Sequence, residues 1–263
     1  MNLNPIIPQR KNLWHKLWED VHPQSADQIQ KELWAYRTDF YEESGSNLPI
    51  EADTAPALYS LCQSIKDKLN VHDDIVFQID CRAIIQGNCM VPGNDQYPAL
   101  INFSSGAINR LYSNELAFLI GHELGHTITK DGVVYFYYYL KYGKEGASKK
   151  IAHKMKVYKL LSELEADRYG YIACGSLESY ISFYYKSRAG LDINKTGVSV
   201  QQFIEGNHKR VQYFINDGYM GSDNHPYDAI RIEAVNIYAT SKDNSELCSR
   251  MNPLIYYIDF HSN

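Results

Sequence analysis

The stretch Ser113–Thr129 reads SNELAFLIGHELGHTIT and sets His122 and His126 four residues apart, with Glu123 beside the first. Leu116, Leu119, Ile120 and Leu124 recur at roughly helical spacing, and Glu115 suits the positive end of a helix dipole. No proline interrupts the run, so a helix is expected, capped by Ser113 and closed by Gly132 beyond Asp131. On such a helix both imidazoles lie on one face, one turn apart. Two neutral imidazoles held this way bind one divalent ion, and a carboxylate one step round the helix reaches a water in the ion's open position. The chemistry implied is metal-assisted hydrolysis.

A catalytic zinc takes three protein ligands and a water, so the pair requires a third ligand elsewhere. The next long helical stretch, KLLSELEADRYGYIACG, places Glu163 and Asp167 one turn apart. One of them can ligate while the other orients a ligating imidazole. Glu165 lies nearly opposite Asp167 and is the weaker candidate.

HELGH, then ELEAD with Glu163 and Asp167 in register, then HPYDAIRI from His225 to Ile232, resemble the three blocks of the HtpX and CAAX prenyl protease type 1 family of zinc metallopeptidases. The resemblance spans about residues 113–232. It implies one Zn2+ held by His122, His126 and Glu163, with Glu123 as general base and Asp167 supporting the metal site from outside. It also implies that His225 and Arg231 help hold substrate or the developing oxyanion. The fold so implied is a zincin-type, predominantly helical α+β domain with a small sheet beside the HExxH helix. Members of that family are typically membrane-embedded; here the longest apolar run, Val133 to Leu140, is far short of the eighteen or so residues that span a bilayer. Prenylated or membrane-bound substrates therefore do not carry over.

At 263 residues and a formal charge of -5, the chain can bury a substantial core and shows no basic run suited to tracking phosphates, which argues against nucleic acid. Cys62, Cys81, Cys89, Cys174 and Cys248 form no CxxC pair, and an odd count argues against a complete disulfide framework. With no secretory signal pattern at the start of the sequence, a cytoplasmic setting is expected.

Three regions are expected: a helical extension over 1–48, a catalytic domain over 49–245 and a tail over 246–263. The extension offers helices at about 10–21 and 26–43, docked on the core or, alternatively, covering the cleft as a latency segment. A helix from Asp53 to Asn70 precedes strands at Ile75–Ile79 and Arg82–Ile85, then turns through GNCMVPGND. A strand at Tyr97–Phe103 is expected to form the cleft edge that pairs with an extended peptide. The Tyr-rich run VVYFYYYLKY is expected to be a helix whose aromatic bodies face the core or a protein interface, a membrane surface being the alternative. His208 lacks a ligand-spaced partner. Leu254 to Ile258 is strand-like, suited to a sheet edge or, alternatively, to blocking the active site. The competing functional classes are a non-catalytic zinc-stabilised interaction module, an aminopeptidase or small-molecule amidase, and a peptidase kept latent by its own terminal segments.

Overall fold

The computed structural model describes residues 3–92, 97–143, 146–217 and 225–261. In chain order the elements are α1 (Pro8–Val21), α2 (Ala26–Ser46), β1 (Leu48–Pro49), α3 (Pro56–Lys68), β2 (Ile75–Asp80), β3 (Gly87–Met90), β4 (Ala99–Ser104) and α4 (Ser105–Arg110). There follow α5 (Ser113–Thr129), α6 (Asp131–Tyr142), α7 (Lys149–Cys174), α8 (Leu177–Ala189), a 3-10 turn at Ile193–Lys195, α9 (Val200–Asp217), α10 (Asp228–Thr240) and α11 (Asn244–His261). The fold is α+β and mostly helical. Among the described residues no helix is long and apolar enough to cross a membrane.

The sheet runs β1-β2-β4-β3, with β2 parallel to β4 and both outer pairs antiparallel. Alternate residues Phe77, Ile101 and Phe103 point into a core shared with Ile65 of α3 and with Leu116, Leu119, Ile120 and Leu124 of α5. The opposite face is polar at Gln78 and Asn102 and lies under α2, whose Glu43 accepts from the Asn102 amide at 3.0 Å.

Three expectations about the sheet change. Residues 82–85 form no strand, because the carbonyls of Arg82 and Ile84 are taken by Gly106 N–H and Ser104 Oγ at the β4–α4 junction. Residues 87–90, expected as turns within GNCMVPGND, pair with Leu100–Phe103 as β3; Val91 and Pro92 lie outside any strand, and 93–95 lie outside the described residues. β4 lies between β2 and β3, so both its edges are occupied and it cannot take up a peptide strand. The outer strands are β1 and β3, and β3 is the one that lies against α5.

The strand expected at Leu254–Ile258 is instead part of α11. Leu247, Met251, Leu254 and Ile258 repeat at helical spacing and bury against the cluster containing Val157, Leu161 and Ile237, which outweighs the backbone donor lost at Pro253. α11 lines no part of the cleft described below, nor does any described residue before Ile84.

The N-terminal segment is anchored to α7. Glu165, fully buried, accepts from Ile7 N–H at 2.7 Å and from Arg10 Nε at 3.0 Å, while Arg168 donates to the Pro5 carbonyl at 3.1 Å. Trp18 of α1 meets Tyr137 of α6 edge-on, with ring centroids 5.5 Å apart. The Tyr-rich helix thus turns Tyr137 inward, where its hydroxyl donates to Glu32 of α2, and leaves Tyr139 and Leu140 exposed.

Candidate metal centre

α5 begins one residue earlier in its capping than expected: Tyr112 is the N-cap, and its N–H donates to Glu115 at 2.7 Å. Lys186 of α8 donates to the same carboxylate at 2.7 Å, fixing the start of the helix. At the other end Lys130 adopts a left-handed conformation (φ 49°), which turns the chain abruptly into α6.

The closeness of α5 to α7 follows from small residues. A Cβ on Gly121 would lie 2.3 Å from the Ala173 Cβ, one on Gly125 2.9 Å from the Ala166 Cα, and one on Gly170 2.7 Å from the Phe118 ring. Glycine at these positions, one or two turns apart on facing surfaces, lets the backbones touch. The polar faces of the two helices then meet above the contact.

There the two Nε2 atoms of His122 and His126 stand 3.2 Å apart, and each lies 3.7 Å from a Glu163 carboxylate oxygen. These three side chains form a group able to hold a metal ion. Their far sides are also fixed. His122 Nδ1 is 3.0 Å from Asp167 Oδ1, and His126 Nδ1 is 3.0 Å from Asp131 Oδ2. His126 Nδ1 keeps its hydrogen in a bond to Asp131, while His122 Nδ1 faces Asp167 at ion-pair distance without a well-aligned hydrogen bond; with the hydrogen on each Nδ1, both Nε2 atoms present lone pairs to the same point. Two lone pairs 3.2 Å apart repel unless a cation or a proton lies between them. Two imidazole nitrogens at roughly 2.0–2.1 Å from one tetrahedral ion would be about 3.3 Å apart, so the donor set fits zinc.

Burial works against a charge on His126, yet the carboxylates of Asp131, Glu163 and Glu123 outweigh it and raise its pKa to about 10. Burial likewise favours the neutral form of Glu163, but the His225 hydrogen bond and the Arg231 charge prevail and hold it well below the usual carboxylate range. His225 Nδ1 lies 3.2 Å from Glu163 Oε2, with its side chain half exposed on the lip of the cleft.

Arg231 of α10 is buried and clasps Asp167 through Nε at 2.7 Å and Nη2 at 2.6 Å, with Nη1 3.5 Å from Glu163. Its guanidinium is committed to the two carboxylates that surround the histidines, which is a positioning geometry rather than one open to substrate. Asp167 is held below its ordinary pKa, since Arg231 and His122 overcome the effect of burial.

Glu123 sits on the cleft side of α5, against β3. A Cβ on Gly87 would fall 2.6 Å from Glu123 Oε1, so glycine is what lets the β3 backbone approach this carboxylate. Burial raises the Glu123 pKa, and the neighbouring histidines only partly oppose it. These groups open into a cleft of about 690 Å3 bounded by β3, α5, α6, α7 and α8.

Glu165 lies on the far side of α7 and takes no part in the centre. His208 is likewise remote, bonded through Nδ1 to Glu233 of α10 at 2.9 Å. Two participants escaped the sequence: Asp131 and Gly87. Asp131 was detectable only as an acid immediately after the α5 helix, five residues from His126. Gly87 required the strand pairing to be known.

Over 83 residues, 32% of its length, the chain is 30% identical to the Protease HtpX homolog of Nostoc punctiforme. The matched portion covers 28% of that relative. No family model matches the chain.

Proposed function

We propose that the protein is a zinc-dependent endopeptidase of zincin type, with chemistry carried by residues 49–245. The observation that supports this best is the convergence of two carboxylate-tethered imidazoles and Glu163 on one point, with Glu123 beside it at an open cleft. The similarity to an HtpX-type protease, though confined to part of both chains, points the same way.

His122, His126 and Glu163 would hold the ion, with Asp167 and Asp131 keeping the rings in the ligating tautomer. Zinc bound there would supply Lewis-acid polarisation of the scissile carbonyl and would lower the pKa of a water to about 7. Glu123 takes the proton of the attacking water and delivers it to the leaving amine. Its burial makes it a stronger base than a solvated carboxylate, bringing its proton affinity closer to working pH. His225, on the cleft lip beside Glu163, is the donor placed to meet charge on the tetrahedral oxygen. Arg231 positions Asp167 and Glu163. The free outer edge of β3 gives an extended peptide somewhere to pair beside the centre. The five unpaired cysteines, with Cys81 and Cys248 exposed, support a reducing, cytoplasmic setting.

Digestion of an unstructured protein such as casein by the zinc-loaded chain tests the reading. Cleavage that disappears with a chelator and in Glu123→Gln, while Glu123→Gln keeps its zinc, is expected. Zinc bound at one per chain without any cleavage would favour a non-catalytic zinc module instead.

A further inference from the structure

Two buried arginines lie near a single carboxylate on the far side of α7. Arg10 bonds Glu165 through Nε at 3.0 Å, and the same Glu165 oxygen accepts from Ile7 N–H. Arg168, also buried, spends Nη1 on the Pro5 carbonyl and sets its guanidinium over the Tyr238 ring, 5.3 Å from the centroid. Its Nε is buried and bonds to nothing among the described residues, and Nη2 has no acceptor there either. Nε and Nη2 form the side-on fork of a guanidinium, the edge with which Arg231 grips Asp167. A buried fork left unmatched gives up its hydration without return. Burial lowers the Arg168 pKa to about 10, with Glu165 opposing only in part, so the group is charged at neutral pH and lacks a counter-ion of its own.

Arg168 borders a cavity of about 140 Å3 between the N-terminal segment and the first turns of α11. An apolar cavity of about 150 Å3 takes up benzene, so there is room here for roughly six non-hydrogen atoms. The walls are apolar, with Ile7, Leu247 and Met251 buried and Ile6 and Ile255 beside them. Among the described lining residues Arg168 is the only charged one, and the rim carries Cys248 and the amides of Gln9 and Asn252, all exposed. One cation in an apolar wall suits a single negative charge on an aliphatic body. A dianion such as phosphate would bring a second charge with nothing to meet it, and a neutral molecule would leave the guanidinium unmatched. We infer that this cavity is a binding site for a small aliphatic monocarboxylate of about four carbons, its carboxylate on the Nε and Nη2 edge of Arg168 and its alkyl group against Leu247 and Met251. Because the walls come from the N-terminal segment, α7 and α11, the bound carboxylate ties the three together. Occupancy of this site is independent of the peptidase reading.

Isobutyrate is the probe, and isobutyramide its neutral counterpart of the same shape. Calorimetric titration of the full chain should show saturable binding of isobutyrate at one site per chain and none of the amide. Iodoacetamide alkylation, followed cysteine by cysteine by mass spectrometry, locates the site. With isobutyrate at about ten times its measured Kd, alkylation of Cys248 at the rim should slow about tenfold, while that of Cys81, exposed elsewhere, stays unchanged. Arg168→Gln should abolish binding. Asn252→Asp, which sets a rival carboxylate at the exposed rim, should do the same in a protein that keeps its melting temperature, and serves alone if Arg168→Gln does not fold. No saturable binding, equal protection of Cys81, isobutyramide or phosphate bound as tightly as isobutyrate, or undiminished binding by Asn252→Asp would each overturn the site.

Discussion

At the scale of single residues, the centre depends on side chains that never need to meet substrate. Asp131 fixes His126 from behind at 3.0 Å, and Asp131→Asn should weaken zinc affinity by about 10–100-fold while leaving the fold intact. Competition with a chromogenic chelator measures this; unchanged affinity would remove Asp131 from the account. His126 also predicts a pH dependence. In the metal-free protein its pKa is raised from 6.5 to about 10, so between those values the folded chain binds more protons at this ring than the unfolded chain. The stability it contributes is complete below pH 6.5 and is lost as pH climbs through 10. The gap in melting temperature between metal-free wild type and His126→Gln should accordingly shrink from pH 6.5 to pH 10. A gap that widened would contradict the protonated, carboxylate-paired ring. Zinc takes the neutral ring, so its uptake should release a proton and strengthen with rising pH.

At the scale of elements, the decisive contact is α5 on α7. Gly125→Ala would press a methyl group to 2.9 Å from the Ala166 backbone, forcing the helices apart. The expected cost is about 1–3 kcal/mol, read as a lowered denaturation midpoint, together with weaker zinc binding because the ligands no longer converge. Unchanged zinc affinity would show that the ligand positions are not set by this contact. The HELGH helix and the acid-bearing helix were legible because each carries a long 3.6-residue pattern with chemistry on one face. β3 was not: Gly87 and Asn88 look like turn residues, and only pairing with β4 makes them a strand. The tail departs from its expected strand for a related reason. Leu254–Ile258 taken alone suits a strand, whereas the spacing from Leu247 to Ile258 is helical, and Pro253 in the middle disguises it. Asp131 belongs with β3, since its role depends on the left-handed turn at Lys130 that no local pattern announces.

At the scale of the whole molecule, α7 links two environments. Glu163 and Asp167 face the candidate metal centre, while Glu165 and Arg168 hold the N-terminal segment. The first helices are therefore built into the fold. Arg10→Ala would leave Glu165 buried without its ion-pair partner and should destabilise by about 3–5 kcal/mol; replacing both residues with apolar ones should restore much of the loss. Chemical denaturation of the single and double variants measures this, and a single variant as stable as wild type would show that the anchor is dispensable. The central claim is that His122, His126 and Glu163 share one ion while Glu123 leaves it alone. Metal analysis of the purified wild type, Glu123→Gln, His126→Ala and Glu163→Ala proteins tests it most directly. One zinc per chain is predicted in the first two and none in the others; full zinc in both ligand variants would contradict it.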